Sequence, residues 1–349
     1  MLEVDGLTKE YGSLVAVDDL SFRIEQGEFA TLLGPSGCGK STTLHCIAGL
    51  TEQTAGTVYL RGENVSEVPP NERNIGLVFQ HSALFPHMTA SENIRYGLRM
   101  QEWEGDHDAQ VERFLDLVQL PDHGDHYPNE LSGGQQRRLS LARALAYEPD
   151  ILLLDEPLTG LDRVLREDMR NEIRKIQREV DVTTLQVTHD QAEALSMSDR
   201  VIVMNDGRKE QEGGPGDLYR RPATEFVADF VGKSTKFEGQ QVEANSPTIS
   251  VGDGAEIEVD PATDLAARNG RLSLYVRPEH IEVEADGAAN GTNAFQATVE
   301  HVEYLGHRHE LEATLEDGTT VIAYADSRTE VGVGERISVR FDPSDVIVL

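Results

Sequence analysis

GPSGCGKS, residues 34–41, joins the apolar run FATLL (29–33) to TTLHCIAGL (42–50). The run before it predicts a buried strand, and the stretch after it predicts a helix. The spacing G-x-x-x-x-G-K-[ST] is met by Gly34, Gly39, Lys40 and Ser41. Glycines let the backbone curl so that several N–H groups point at one anion. The N-terminus of the following helix adds partial positive charge. Lys40 is then placed to reach β- and γ-phosphates, and the Ser41 hydroxyl to reach Mg²⁺. A glycine turn that holds no ligand is the competing reading. The strand-before, helix-after context favours a phosphate site.

A metal-bound nucleotide also needs a carboxylate. ILLLDE, residues 151–156, is a continuous apolar run ending in two acids, as expected of a parallel strand covered on both faces. Asp155 is placed to hold Mg²⁺. Glu156, one residue on, is placed to polarise an attacking water. Together these features predict phosphoanhydride hydrolysis, in which positioning and charge neutralisation do most of the catalysis.

The chain has 349 residues, with 62 Asp and Glu against 31 Lys and Arg, and a formal net charge of -31. Such a field repels phosphate backbones and argues against a nucleic-acid partner. The acid is spread along the chain, and lysine is confined to positions 9, 40, 175, 209, 233 and 236. This pattern points to life in molar salt, where the Debye length is about 3 Å and self-repulsion is screened. An ordinary acidic protein is the alternative. The two cysteines, Cys38 and Cys46, are too few for a disulfide framework. No run approaches the roughly 20 apolar residues of a membrane helix. The N-terminus lacks the basic start and apolar stretch of a signal peptide.

Residues 1–30 alternate as short strands of a small antiparallel sheet, and TAGTVYLRGENV (54–65) reads as a further strand pair. IGLVFQ (75–80) reads as a strand, and the pattern from Ala90 to Gln119 is helical. LSGGQQRRLSLARALAYEPD (131–150) opens on a glycine pair and continues as a helix. Residues 163–180 are helical, TTLQVTHD (183–190) is a strand, QAEALSMSD (191–199) a helix and RVIVMNDGR (200–208) a strand and turn. Alternating strands and helices imply a mainly parallel α/β sheet. From Lys236 onward the runs are short and alternating, among them TISVGDG (248–254), FQATVEHVEYLG (295–306) and RISVRFD (336–342). They are separated by turn residues and predict an all-β barrel or sandwich. The expected organisation is 1–235 and 236–349.

With LSGGQ (131–135) in place, the sequence resembles the ATP-binding cassette (ABC) ATPases. The resemblance runs in order through Tyr11, the 34–41 loop, Gln80, Ser132, Gly133, Gly134, Gln135, Asp155, Glu156, Asp162 in LTGLD, and His189 in VTHD. It implies an ABC-type P-loop NTPase fold with antiparallel β and helical subdomains, followed by an OB-like barrel of TOBE type. It implies ATP and Mg²⁺ as ligands. Gly34, Pro35, Ser36, Gly37, Cys38, Gly39, Lys40, Ser41 and Thr42 would cradle phosphates, and Tyr11 would stack on adenine. Ser41, Gln80 and Asp155 would hold the metal. Glu156 would be the general base, with His189 at the γ-phosphate and Gln80 beside them. In the family two cassettes stack head to tail, so Ser132–Gln135 and Asp162 of one subunit complete the partner's site, in a homodimer or a paired cassette. Two departures stand out: Thr159-Gly160 where Ser-Ala or Ser-Asn is common, and RRLSLARAL where QRVALARAL is common. Cys38 falls at a variable loop position, where maleimides are expected to inhibit.

The chain resembles in particular the ATPase subunits of solute importers. FQHSALFPHMTASENIRYGL (79–98), FVGKSTKFEG (230–239), LYVRPEHIEV (274–283) and VEHVEYLGHRHELEATLEDG (299–318) carry that resemblance. It implies a separate integral membrane permease, received near Phe85, Pro86 and Met88, and indirectly an extracellular solute-binding protein. The location implied is peripheral, on the cytoplasmic face of the membrane. The solute implied is a polyamine or ferric iron. The rival is a cassette acting on ribosomes or nucleic acid without a permease; the charge and the C-terminal part count against it. His307 and His309 read as an exposed pair rather than metal ligands, and Arg277–His280 as a turn without chemistry.

Overall fold

The N-terminal hairpin pairs β1 (Leu2–Tyr11) with β2 (Leu14–Ile24), in register from Leu2↔Ile24 to Tyr11↔Leu14. The structure is a computed structural model describing residues 1–243, 246–252, 255–263, 265, 270–285, 289 and 291–349. β3 (Phe29–Leu33) follows, then α1 (Lys40–Ile47), β4 (Ala55–Leu60), β5 (Glu63–Asn64) and β6 (Ile75–Val78). Next come α2 (Ala90–Met100), α3 (His107–Leu117), α4 (Gly133–Leu145), β7 (Ile151–Asp155) and α5 (Arg163–Val180). β8 (Thr183–Thr188), α6 (Gln191–Met197), β9 (Arg200–Asn205) and β10 (Arg208–Gly213) complete this part.

The strands make two sheets. β2-β1-β4-β5 is antiparallel; β10-β9-β3-β8-β7-β6 is parallel except for the edge strand β10. β3 and β7 are buried along their whole length, because both faces of the parallel sheet are covered. On one face Leu32, Leu153 and Leu185 pack with Leu44 and Ile47 of α1 and with Leu2, Val4 and Ile24 of the antiparallel sheet. On the other, Leu152 and Leu154 pack with Phe114, Leu139, Leu145, Met169 and Ile173 of α3, α4 and α5.

The helical stretch expected over 90–119 is two helices. The Trp103 N–H donates to Leu98 O and closes α2, Glu102 adopts a left-handed φ of 48°, and the Asp106 carboxylate caps α3 by accepting from the Asp108 and Ala109 N–H groups. An aspartate at an N-cap satisfies donors that would otherwise be orphaned, so the chain restarts there in a new direction.

Compact packing divides the chain into Met1–Asp217 and Leu218–Leu349. α7 (Pro215–Arg220) and α8 (Glu225–Phe230) precede β11 (Thr235–Gln241), β12 (Thr248–Val251), β13 (Ala255–Glu258), β14 (Leu272–Val276) and β15 (Glu282–Ala285). β16 (Ala294–Tyr304), β17 (Arg308–Leu315), β18 (Thr320–Asp326), β19 (Arg336–Arg340) and β20 (Ile347–Val348) follow. Among the described residues they form antiparallel sheets β13-β12-β11-β14-β20 and β15-β19-β16-β17-β18 around one core. The last residues of TISVGDG, 253–254, lie outside the described residues.

Arg277, read in the sequence as part of a turn without chemistry, has a structural task in this unit. It is 2% exposed. Its Nη2 donates to Tyr219 O at 2.9 Å and its Nη1 to Ala228 O at 3.1 Å, and the guanidinium lies 4.2 Å over the Tyr219 ring. A buried cation is tolerable only when its donors are used. Here they fasten residues 219–233 to the strand pairs.

Candidate functional site

The site is assembled at the C-terminal edge of the parallel sheet. Leu33 pairs with Thr188, and Asp155 with Val187. The loops that follow β3, β7 and β8 therefore leave the sheet side by side, which is where ligands bind in open α/β sheets.

The 34–41 loop takes its shape from its glycines. Gly39 has φ 100°, and a Cβ there would lie 2.3 Å from Ala16 O, so no other residue fits. Lys40 is 5% exposed. Its Nζ donates to Gly34 O at 2.7 Å and to Pro35 O at 2.8 Å. Ser36 and Gly37 are exposed at the tip and Pro35 is half-buried. Thr42 sits half-buried in the first turn of α1. Cys38 is only 3% exposed, and burial pushes its thiol pKa up despite the nearby Lys40 ammonium. This corrects the expectation of ready maleimide inhibition, because the reactive species is the exposed thiolate.

Ser41 Oγ donates to Asp155 Oδ1 at 3.0 Å, and the other Asp155 oxygen lies 3.5 Å from His45 Nε2. Glu156 has a left-handed φ of 44°, and its N–H donates to Val187 O. That turn directs the side chain toward the β8 loop. Glu156 Oε1 is 3.1 Å from His189 Nδ1, and Thr159 Oγ1 donates to Oε2 at 2.9 Å. Behind His189, Glu193 is buried and accepts from Thr188 Oγ1 at 2.8 Å and Gln186 Nε2 at 3.1 Å. Burial raises its pKa. Lys40, Ser41, Asp155, Glu156 and His189 are thus brought together. Gln80 is exposed just past β6, on the neighbouring strand of β7.

Ser132, Gly133, Gly134 and Gln135 form a second cluster at the start of α4. The Ser132 hydroxyl accepts from Gln135 N–H, and Gln135 Oε1 accepts from Ser132 N–H at 2.8 Å, a reciprocal cap. Gly133 is open, whereas a Cβ on Gly134 would lie 3.3 Å from Leu165 Cδ1 of α5. Gln135 Nε2 lies 3.1 Å from His123 Nε2. Asp162 caps α5, accepting from Leu165 N–H at 3.0 Å. Tyr11 is 51% exposed in the first hairpin turn, with Lys9 Nζ 4.8 Å over its ring.

Near the 79–98 segment, buried Asn93 accepts from Phe85 N–H and donates to the carbonyls of Phe85, Met88 and Thr89. The Phe85 ring lies 4.6 Å from that of Tyr96, tilted by 59°. Pro86, Phe79, Tyr96 and Met100 are exposed around it.

Sequence reasoning missed His45, Thr159 as a partner of Glu156, His123 and Arg277. Only His45 carried a signal: it is four residues after Ser41 on one helix face. His309, read as exposed, is half-buried, with Nε2 3.2 Å from Ser327 O and its ring 5.3 Å from Tyr304; His307 is exposed.

A glycine loop carrying Lys40, a Ser41–Asp155 pair and Glu156 on the next residue, all at the ends of parallel strands, define a P-loop ATPase. Comparison with known proteins narrows the class. Residues 17–159 match the family described as ABC transporter, and residues 274–349 match the TOBE domain. The chain is 42% identical over 334 residues to the spermidine/putrescine import ATP-binding protein PotA of Thermobifida fusca, covering 94% of this chain and 87% of that protein. It is 38% identical over 330 residues to the Fe(3+) ions import ATP-binding protein FbpC of Fusobacterium nucleatum, covering 94% and 87%. It is 44% identical over 305 residues to the sulfate/thiosulfate import ATP-binding protein CysA 2 of Chromobacterium violaceum, covering 87% and 81%. A dimeric post-hydrolysis structure of the ATP-binding cassette MJ0796, bound to ADP and Pi, superposes with a TM-score of 0.55 at 32% identity, covering 62% of this chain and 99% of that one. The chain belongs to the ATP-binding cassette ATPases, in the group of import ATP-binding proteins that carry a C-terminal TOBE domain.

Proposed function

We propose that this chain is the ATP-hydrolysing subunit of a solute importer, and that Glu156, held between His189 and Thr159 beside the Ser41–Asp155 pair, is its general base. That arrangement carries the reading. Ser41 and Asp155 present a hydroxyl and a carboxylate, the hard oxygen donors that suit Mg²⁺, and Gln80 would complete the set. The metal, when bound, neutralises charge on the phosphates.

Residues 34–42 would hold the phosphates, with Lys40 exchanging the carbonyls of Gly34 and Pro35 for phosphate oxygens. Glu156 would take the proton of the attacking water, and His189 would hold Glu156 in place and contact the γ-phosphate. Ser132–Gln135 and Asp162 would close on nucleotide held by a partner cassette, and Tyr11 would stack on adenine. ATP binding and hydrolysis would then close and open a head-to-tail pair, a homodimer or paired cassette, and drive a permease. All of these residues fall within 1–235, leaving 236–349 a regulatory role.

The apolar surface around Phe85, Pro86, Met88 and Tyr96 is the proposed permease contact. No helix among the described residues is long and apolar enough to cross a membrane, so a separate permease would hold the chain at the cytoplasmic face, with a solute-binding protein outside. The proposed solute is a polyamine or ferric iron, the solutes two of the relatives above are named for, while the third is named for sulfate/thiosulfate. The charge of -31 speaks against nucleic acid and for a cytoplasm of high salt.

The test is to recover Glu156→Gln from native membranes at molar KCl with ATP and Mg²⁺ and to identify what accompanies it by mass spectrometry. A permease and a solute-binding protein are expected, and melting shifts on that binding protein then separate polyamine from ferric iron. Ribosomal proteins without a permease would overturn the transport reading.

A further inference from the structure

The loop between Glu156 and α5 is clamped on two sides. Leu158 is fully buried in the helical core. From the other side Arg137, in the second turn of α4, donates through Nη1 to Pro157 O and through Nη2 to Thr159 O. The same Thr159 gives its hydroxyl to Glu156 Oε2. A continuous path of contacts therefore runs from the helix that begins at Ser132 to the carboxylate held by His189.

We infer that Arg137 is a positioning residue for Glu156 and that Thr159 is the link through which it acts; the inference rests on Glu156 being the general base. A planar guanidinium presents two N–H donors in a fixed fork, so it holds two carbonyls at once and fixes the peptide between them. The guanidinium is half-buried, and burial disfavours its charge. The two carbonyls and the nearby Glu193 carboxylate offset that cost. Lysine and glutamine cannot reproduce the fork.

The consequence is a coupling within one subunit. Any shift of the α4 N-terminus, where Ser132 and Gln135 cap the helix, moves Arg137, then the carbonyls of Pro157 and Thr159, then the hydroxyl that fixes the plane of the base. The orientation of Glu156 thereby depends on where the start of α4 lies. Arg137 is one of the positions at which RRLSLARAL differs from the commoner QRVALARAL, whereas the hydroxyl at 159 is kept by the commoner serine.

The experiment measures Mg-ATP hydrolysis by the full chain in Arg137→Gln, Arg137→Lys, Thr159→Val, Thr159→Ser, the Arg137→Gln/Thr159→Val double variant and Glu156→Gln. ATP binding is measured on each. Misplacing a reacting group costs rate rather than affinity, so kcat should fall about tenfold or more in Arg137→Gln and Thr159→Val. KM and ATP affinity should stay within about twofold. Thr159→Ser, which keeps the hydroxyl, should restore most of the rate, whereas Arg137→Lys should not. The double variant should be no slower than the slower single variant, because both remove one path. Wild-type kcat in the single variants, additive losses in the double one, or a loss of ATP affinity matching the loss of kcat would overturn the inference. If Arg137→Gln fails to fold, the contrast of Thr159→Val with Thr159→Ser decides it, equal rates in the two overturning it. Hydrolysis retained by Glu156→Gln would instead sink the reading of the base.

Discussion

Ser41 Oγ donates to Asp155 Oδ1 across 3.0 Å, tying the first turn of α1 to the end of β7. The two residues are far apart in sequence, and each sits where a loop leaves the sheet. The hydroxyl and the carboxylate face each other, so they can share one hard cation. Ser41→Ala should raise the Mg²⁺ concentration for half-maximal hydrolysis about tenfold, the scale of one hydrogen bond to a charged group. A Mg²⁺ titration of ATPase activity checks this; an unmoved midpoint would take Ser41 out of the metal set.

Arg277 should matter to the fold of the β unit and not to the chemistry. Removing its guanidinium leaves the carbonyls of Tyr219 and Ala228 short of donors in a buried place. Arg277→Met should cost about 3 kcal/mol or more of that unit's stability. Urea unfolding followed by circular dichroism reads it, and a midpoint equal to that of the wild type would contradict the assignment.

The two thiols should be inert at neutral pH. Cys38 is buried with its pKa raised, and Cys46 is fully buried with its pKa pushed up to about 11. Maleimide should label both only on unfolding, and at a rate set by opening of the fold. Fast stoichiometric labelling of native protein would show that the 34–41 loop opens.

Cys46 also gives a pH dependence. Its ordinary pKa is 9.0 and its folded value about 11. The native state therefore keeps a proton that the unfolded chain releases first. Stability from this group is complete below pH 9.0 and falls as pH rises from 9.0 to about 11. The urea midpoint of the wild type should drop over that interval more steeply than that of Cys46→Ala. Parallel slopes would argue that the thiol is not the group responsible.

The net charge of -31 should make stability depend on salt. Raising KCl from about 0.05 M to 2 M shortens the Debye length to a few ångströms and screens self-repulsion. The Tm should rise steadily across that range. A flat or falling Tm would remove the case for a high-salt habitat.

Strand, turn and helix around GPSGCGKS were legible because their signals are local: an apolar run, glycines able to take φ near 100°, and a helical stretch behind them. Asp155 and Glu156 were legible for the same reason, as the polar end of an apolar strand. The break between α2 and α3 was not, since it turns on a left-handed Glu102 and a cap by Asp106 that periodicity does not register. Nor were Thr159 on Glu156, Arg137 on the loop after β7, the burial of Cys38 or the seat of Arg277. Hydrogen-bond partners and burial are properties of which elements pack together, and a guanidinium exposed in one packing is half-buried in another. Local patterns along the chain were enough to read most of the element order, the α2–α3 break excepted, and the chemistry available at the strand ends. Which side chains meet there is set by folding, because hydrogen bonds act over about 3 Å and that proximity does not exist in the extended chain.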